Sequence, residues 1–185
     1  MNIASVGIAL CSVITLLAPL SHAETGERVL YDFSDGPGDW SIEDDGVMGG
    51  VSRGNVSVNE AGHGVFSGEV SLENNGGFSS VQHYFDPIDV TAYRTVCLRI
   101  KGDGKRYRFI VEAEPDARHY YEAEFSTSGE WQTVEIPLGD LVPKWRGDRL
   151  ELPNFPGQTL AQIRIMIANG TAESFRFEIE RIWLK

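Results

Sequence analysis

Residues 66–72 read FSGEVSL, which puts Phe66, Gly68, Val70 and Leu72 on one face of an extended chain and Ser67, Glu69 and Ser71 on the other. Side chains of a strand alternate between faces, so this pattern predicts a half-buried β-strand. The same period recurs outward from it. VCLRI (96–100) aligns Val96, Leu98 and Ile100, and YRFIVEA (107–113) alternates Tyr107, Phe109, Val111 and Ala113 with Arg108, Ile110 and Glu112. QIRIMIA (162–168) aligns Ile163, Ile165 and Ile167, while FRFEIERI (175–182) opposes Phe175, Phe177 and Ile179 to Arg176, Glu178 and Glu180. Glycine and asparagine accept positive φ cheaply, so DGPGD (35–39), NEAGHG (59–64), ENNGG (73–77) and STSGE (126–130) read as turns. Asp103-Gly104 in KGDGK predicts a hairpin between its flanking segments. Helical period is nearly absent, with LGDLVPKW (138–145) allowing one short turn before Pro143. The stretch 141–158 reads as a long loop whose Trp145, Pro153, Phe155 and Pro156 plug one end. Many short strands without intervening helices predict an all-β antiparallel sandwich.

The N-terminus adds a compartment. Residues 1–23 contain no Asp, Glu, Lys or Arg, run apolar from Ile3 to Leu20, and end in Ser21-His22-Ala23. Small residues at 21 and 23 predict a secretory signal peptide cut after Ala23. The other reading, an uncleaved anchor, stands because the apolar stretch just reaches spanning length. Cleavage leaves a single domain, residues 24–185, with no transmembrane span. It is expected to be exported, to the periplasm if bacterial and otherwise secreted.

The chemistry within that domain is sparse. A net charge of −11 repels phosphate backbones and argues against a nucleic-acid partner. Cys97 is the only cysteine after residue 23, so no intrachain disulfide forms in the mature chain. His63, His83 and His119 lack metal-ligand spacing, and no G-x-S-x-G elbow is present. Nothing in the pattern points to an enzyme. Asp32, Asp35 and Asp39 offer oxygen donors of the kind calcium takes, yet beside Gly36 and Gly38 they serve equally as turn formers. Aromatics are plentiful, among them Trp40, Trp131, Trp145, Trp183, Tyr84, Tyr93, Tyr120 and Tyr121. An exposed ring beside carboxylates suits a sugar; a buried one belongs to the core.

One string is unusually particular: DDGVMGGVS, residues 44–52. With FSGEVSLENNGGFSSV (66–81), LRIKGDGKRY (98–107) and EWQTVEIPL (130–138) it resembles the complex I intermediate-associated protein 30 family, in family order from about Tyr31 to the C-terminus. The resemblance implies a galactose-binding-like jelly-roll sandwich. Its mitochondrial members are non-enzymatic assembly factors for NADH:ubiquinone oxidoreductase, and the resemblance brings no catalytic residues with it. An export signal conflicts with that assembly site, so the fold carries over more firmly than the role.

The expected function is an exported non-catalytic module that binds a protein partner in an assembly- or chaperone-like role, with carbohydrate binding as the alternative. Gly49-Gly50 and Gly76-Gly77 are expected to serve backbone geometry, with Val47 and Met48 as core plugs. Asp44, Asp45, Glu73, Asn74 and Asn75 are expected to form one polar patch open to a partner, with Trp145 as the other candidate surface. Replacing Asp45 and Asn74 together by Ala is then expected to spare folding and abolish partner capture.

Overall fold

The computed structural model describes residues 26–185, so the expected signal peptide over 1–23 lies outside the described residues. The chain forms β1 (Arg28–Asp32), β2 (Ser41–Asp44), β3 (Arg53–Val58), β4 (Gly64–Val70), β5 (Ser79–Asp89), β6 (Thr95–Lys101) and β7 (Arg106–Glu112). It continues through β8 (Tyr120–Ser126), β9 (Trp131–Pro137), β10 (Val142–Trp145), β11 (Asp148–Arg149), β12 (Thr159–Ile167) and β13 (Glu173–Leu184). One sheet has the order β3-β4-β13-β6-β9, with β1 also on β13; the other runs β11-β10-β8-β7-β12-β5-β2. The pairings are antiparallel throughout. Among the described residues no helix is long and apolar enough to cross a membrane.

The core is the meeting of the two apolar faces that alternation selects. Phe66 and Phe175 approach at 4.6 Å between ring centroids, and Tyr107 from the second sheet meets Phe177 at 4.7 Å. Phe109, Val111, Ile163 and Ile165 complete the facing layer. Two strands keep an apolar face inward only because they break phase. In β13 the register shifts between Ile179 and Arg181, so Phe175, Phe177 and Ile179 on odd positions hand over to Ile182 and Leu184 on even ones. In β12 a shift between Leu160 and Gln162 does the same for Leu160 and Ile163. An inserted residue is how a strand changes face without turning.

Two local expectations change. Asp103-Gly104 does not close a hairpin: β6 and β7 lie in different sheets, and the turn carries the chain between layers. Asp103 builds that corner by accepting from the Arg176 amide at 3.0 Å, the Tyr107 hydroxyl at 3.1 Å and Lys105 Nζ at 2.9 Å. The stretch after Leu141 is not all loop either. A 3-10 turn over Leu138–Asp140 leads into the β10–β11 hairpin, which extends the seven-stranded sheet, with Pro143 opposite Tyr121. Phe155 is the buried plug, its amide donating to the Leu141 carbonyl at 3.0 Å.

Candidate functional site

The corner after β2 is organised by Asp45. Residues Asp45–Met48 make a single 3-10 turn, closed where Gly49 takes φ 88° and its amide donates to the Gly46 carbonyl at 3.0 Å. A left-handed φ is cheap only for glycine. The Asp45 side chain turns inward and is 0% exposed. Its Oδ2 accepts from the Gly77 amide at 2.7 Å, the Phe78 amide at 3.2 Å and the Ser52 hydroxyl at 2.5 Å, while Oδ1 accepts from the Ser52 amide at 3.1 Å. Ser52 Oγ in turn accepts from the Ser71 amide at 3.0 Å. One carboxylate thus ties the loop after β2 to the loop between β4 and β5. Burial alone pushes the Asp45 carboxyl up, but these four hydrogen bonds outweigh it and hold the group below its ordinary value. A Cβ at Gly50 or Gly76 would run into this carboxylate, and Gly77 holds φ 146°.

Asp44 is similarly occupied, accepting from the Gly54 amide at 2.9 Å and the Ser79 hydroxyl at 2.6 Å. The expectation of an outward patch containing Asp44 and Asp45 is therefore corrected. The two segments do meet, but through a carboxylate that is fully buried and out of a partner's reach. The Asp45 and Asn74 double replacement is accordingly a folding variant and not a clean binding probe.

Val47 and Met48 are corrected as well: they are 86% and 58% exposed. Asp45 fills the inner side of the turn, which leaves these side chains outside. Val51 and Leu72, on the same tied loops, are exposed apolar residues too. Beside them Glu73, Asn74 and Asn75 form an exposed 3-10 turn in which both asparagines hold positive φ, 55° and 61°. Trp145 lies apart from this corner, 49% exposed at the β10–β11 tip, with the Arg146 guanidinium 4.8 Å from its ring centre.

The calcium candidates have other partners. Asp32 Oδ1 accepts from the Ser34 amide at 2.9 Å, and Asp39 Oδ1 lies 2.9 Å from His83 Nδ1; the Asp35 side chain is outside the described ones. Among the described residues no three His, Cys, Asp or Glu side chains converge as a metal site. His83 faces inward among Tyr31, Trp40 and Phe85, where burial lowers its pKa. Cys97 is buried in β6, and burial pushes its thiol up.

A second feature lies on the outer face of the seven-stranded sheet. Strand register places Gln82, Arg164, Ile110 and Glu122 in one cross-strand row, and Tyr84, Gln162 and Glu112 in the next. The charges are paired: Arg164 reaches Glu43 at 2.9 Å and Glu112 at 3.9 Å, Arg108 reaches Glu124 at 3.5 Å, and Lys144 donates to Glu122 at 2.6 Å. Gln162 Nε2 donates to Gln82 Oε1 at 3.0 Å. Long side chains roof this face so well that Ile110, Glu122 and Gln162 are buried, whereas Tyr84 stands 52% exposed. Sequence reading missed this face. Its only trace was the charged half of each alternating strand, which looks the same on any solvated sheet.

Two antiparallel sheets packed in this order, with a glycine-lined corner after the second strand, define a galactose-binding-like jelly-roll sandwich. The fold is similar to the family 11 carbohydrate-binding module from Clostridium thermocellum, solved in complex with a β-1,3-1,4-mixed-linked tetrasaccharide, at 18% identity and TM-score 0.64, covering 86% of this chain and 95% of that one. It is also similar to a family 29 carbohydrate-binding module, at 15% identity and TM-score 0.50 over 86% and 87% of the two chains. An exo-β-agarase matches at 12% identity and TM-score 0.56, over 86% of this chain but 25% of that chain. Among curated proteins none matches this chain. The family model described as Complex I intermediate-associated protein 30 matches residues 31–179, and the chain belongs to that family.

Proposed function

We propose that this chain is an exported, non-catalytic binding module that captures a protein partner through the two loops tied by Asp45. The observation that carries the reading is the exposure of Val47 and Met48 on a turn fixed from beneath by a buried carboxylate. Exposed apolar side chains grouped on one surface favour association, and a rigid presentation lowers the ordering cost of binding. The family name, which refers to association with an intermediate of complex I, is consistent with a partner of this kind and an assembly-like role. Export is supported by the charge-free residues 1–23. A second reading, carbohydrate binding, is supported by the polar outer sheet face and by the sugar complex of the family 11 module.

The test is a paired substitution, Val47→Asp with Met48→Asp. Both positions are exposed, so stability is expected to stay within about 0.5 kcal/mol of the wild type. Affinity capture from the source cells is expected to lose its specific protein partner. Undiminished capture by the folded variant refutes the loop assignment.

A further inference from the structure

We infer that the outer face of the seven-stranded sheet binds an uncharged oligosaccharide chain, with Tyr84 as the stacking platform and the partly exposed Glu112 and Arg164 as the hydroxyl-recognising groups. The inference rests on the carbohydrate reading above and adds the location and the charge class of the ligand. Three features of the face converge on it.

The first is charge balance. Glu43, Glu112, Glu122 and Glu124 face Arg108, Lys144 and Arg164, and each of the three cations has a carboxylate within 4 Å. A polyanion meets the accessible carboxylates of Glu43, Glu112 and Glu124, and a polycation meets carboxylates already paired with cations, so neither gains the field complementarity that charged ligands need. A hydroxyl suits this surface, because it donates to a carboxylate and accepts from a guanidinium at once.

The second is fixed geometry. The polar groups stand on six adjacent strands, from β2 to β10, and are held by one another, with the Gln82–Gln162 bond lying fully inside. Arg164 is held between Glu43 and Glu112, and Lys144 against Glu122, so the exposed parts of Glu112 and Arg164 are presented in fixed positions. A preorganised polar surface binds without first paying for side-chain order.

The third is shape. Tyr84 on β5 shares its row with Gln162 and Glu112, and the face continues through β8 to Lys144 on β10. Four strand spacings separate β5 from β10, roughly 19 Å. That length fits an extended chain of several rings better than one sugar. An exposed phenol at one end offers the flat apolar surface on which a pyranose ring packs.

The experiment is isothermal titration of the mature protein with cellohexaose, laminarihexaose, mixed-linkage β-glucan, xylan and galactan, using polygalacturonate and chitosan as charged comparators. At least one neutral glycan is expected to bind, with both charged polymers weaker. Tyr84→Ala and, independently, Glu112→Gln are expected to lower that affinity at least tenfold while leaving the melting temperature unchanged. The Val47→Asp, Met48→Asp protein is expected to bind the glycan as the wild type does. Neutral binding that survives both Tyr84→Ala and Glu112→Gln keeps the carbohydrate reading but refutes this face as the site. Preference for a charged polymer refutes the ligand class, and binding to none of the panel by folded protein refutes both the site and the carbohydrate reading.

Discussion

Asp45 shows how a single buried acid sets a loop. Its charge is taken out of water, which is costly, yet two backbone amides from one loop and the amide and hydroxyl of Ser52 from the other are delivered to it. Asp45→Asn is expected to destabilise the fold by about 3 kcal/mol, since an amide cannot accept at both oxygens and leaves buried donors unpaired. The pH dependence has a definite sign. Because the folded carboxyl is held below its ordinary value, its contribution is full above about pH 4 and is lost as pH falls through the lower folded value. Denaturant titrations of wild type and Asp45→Asn at neutral and strongly acidic pH are expected to converge on acidification; a constant gap speaks against a charged Asp45 in the folded state. The neighbouring glycines supply a separate check. Gly49→Val and Gly77→Val are each expected to cost about 1–3 kcal/mol through their positive φ, 88° and 146°. Thermal melting unchanged in both refutes that account of the corner. Adjacent glycines mark this corner in the sequence, but the side that Asp45 takes is not marked. An Asp beside Gly reads equally well as an exposed turn former, and the inward choice depends on donors more than thirty residues away at Gly77 and Phe78.

At the scale of elements, alternation located β4, β6, β7, β12 and β13, five of the thirteen strands, because it is a local consequence of burying one face. Pairing is not local. Asp103-Gly104 has the chemistry of a tight turn, but whether the next strand continues in the same sheet is decided by where Phe109 and Val111 find an apolar layer. The phase breaks at Ile179–Arg181 and Leu160–Gln162 were equally hidden, because one extra residue reads as an imperfection in the pattern. The polar sheet face escaped for a related reason: Gln82, Glu112 and Arg164 are far apart in sequence and meet only through register. The β6–β7 corner yields its own prediction. Asp103 is held below its ordinary pKa because Lys105, the Arg176 amide and the Tyr107 hydroxyl outweigh the effect of burial. Asp103→Ala is expected to destabilise by about 2 kcal/mol, since it orphans the hydroxyl of the buried Tyr107 and removes the acceptor of the Arg176 amide. Urea denaturation provides the measurement, and a change below about 0.5 kcal/mol removes Asp103 as the link between sheets.

For the whole molecule, the sandwich separates two surfaces of different chemistry. The corner tied by Asp45 presents Val47, Met48, Val51 and Leu72, whereas the seven-stranded sheet presents paired charges and Tyr84. The division lets partner capture and glycan binding be tested independently on one fold. The central claim is that the tied corner is the protein-binding surface. Its most direct test places a photo-crosslinking amino acid at Val47 in one protein and at Glu180, on the other sheet, in a second, each irradiated in the source cells. The account predicts a discrete protein adduct from position 47, lost when Met48 is also changed to Asp, and none from position 180. No adduct at 47, with the same partner captured from 180, contradicts it.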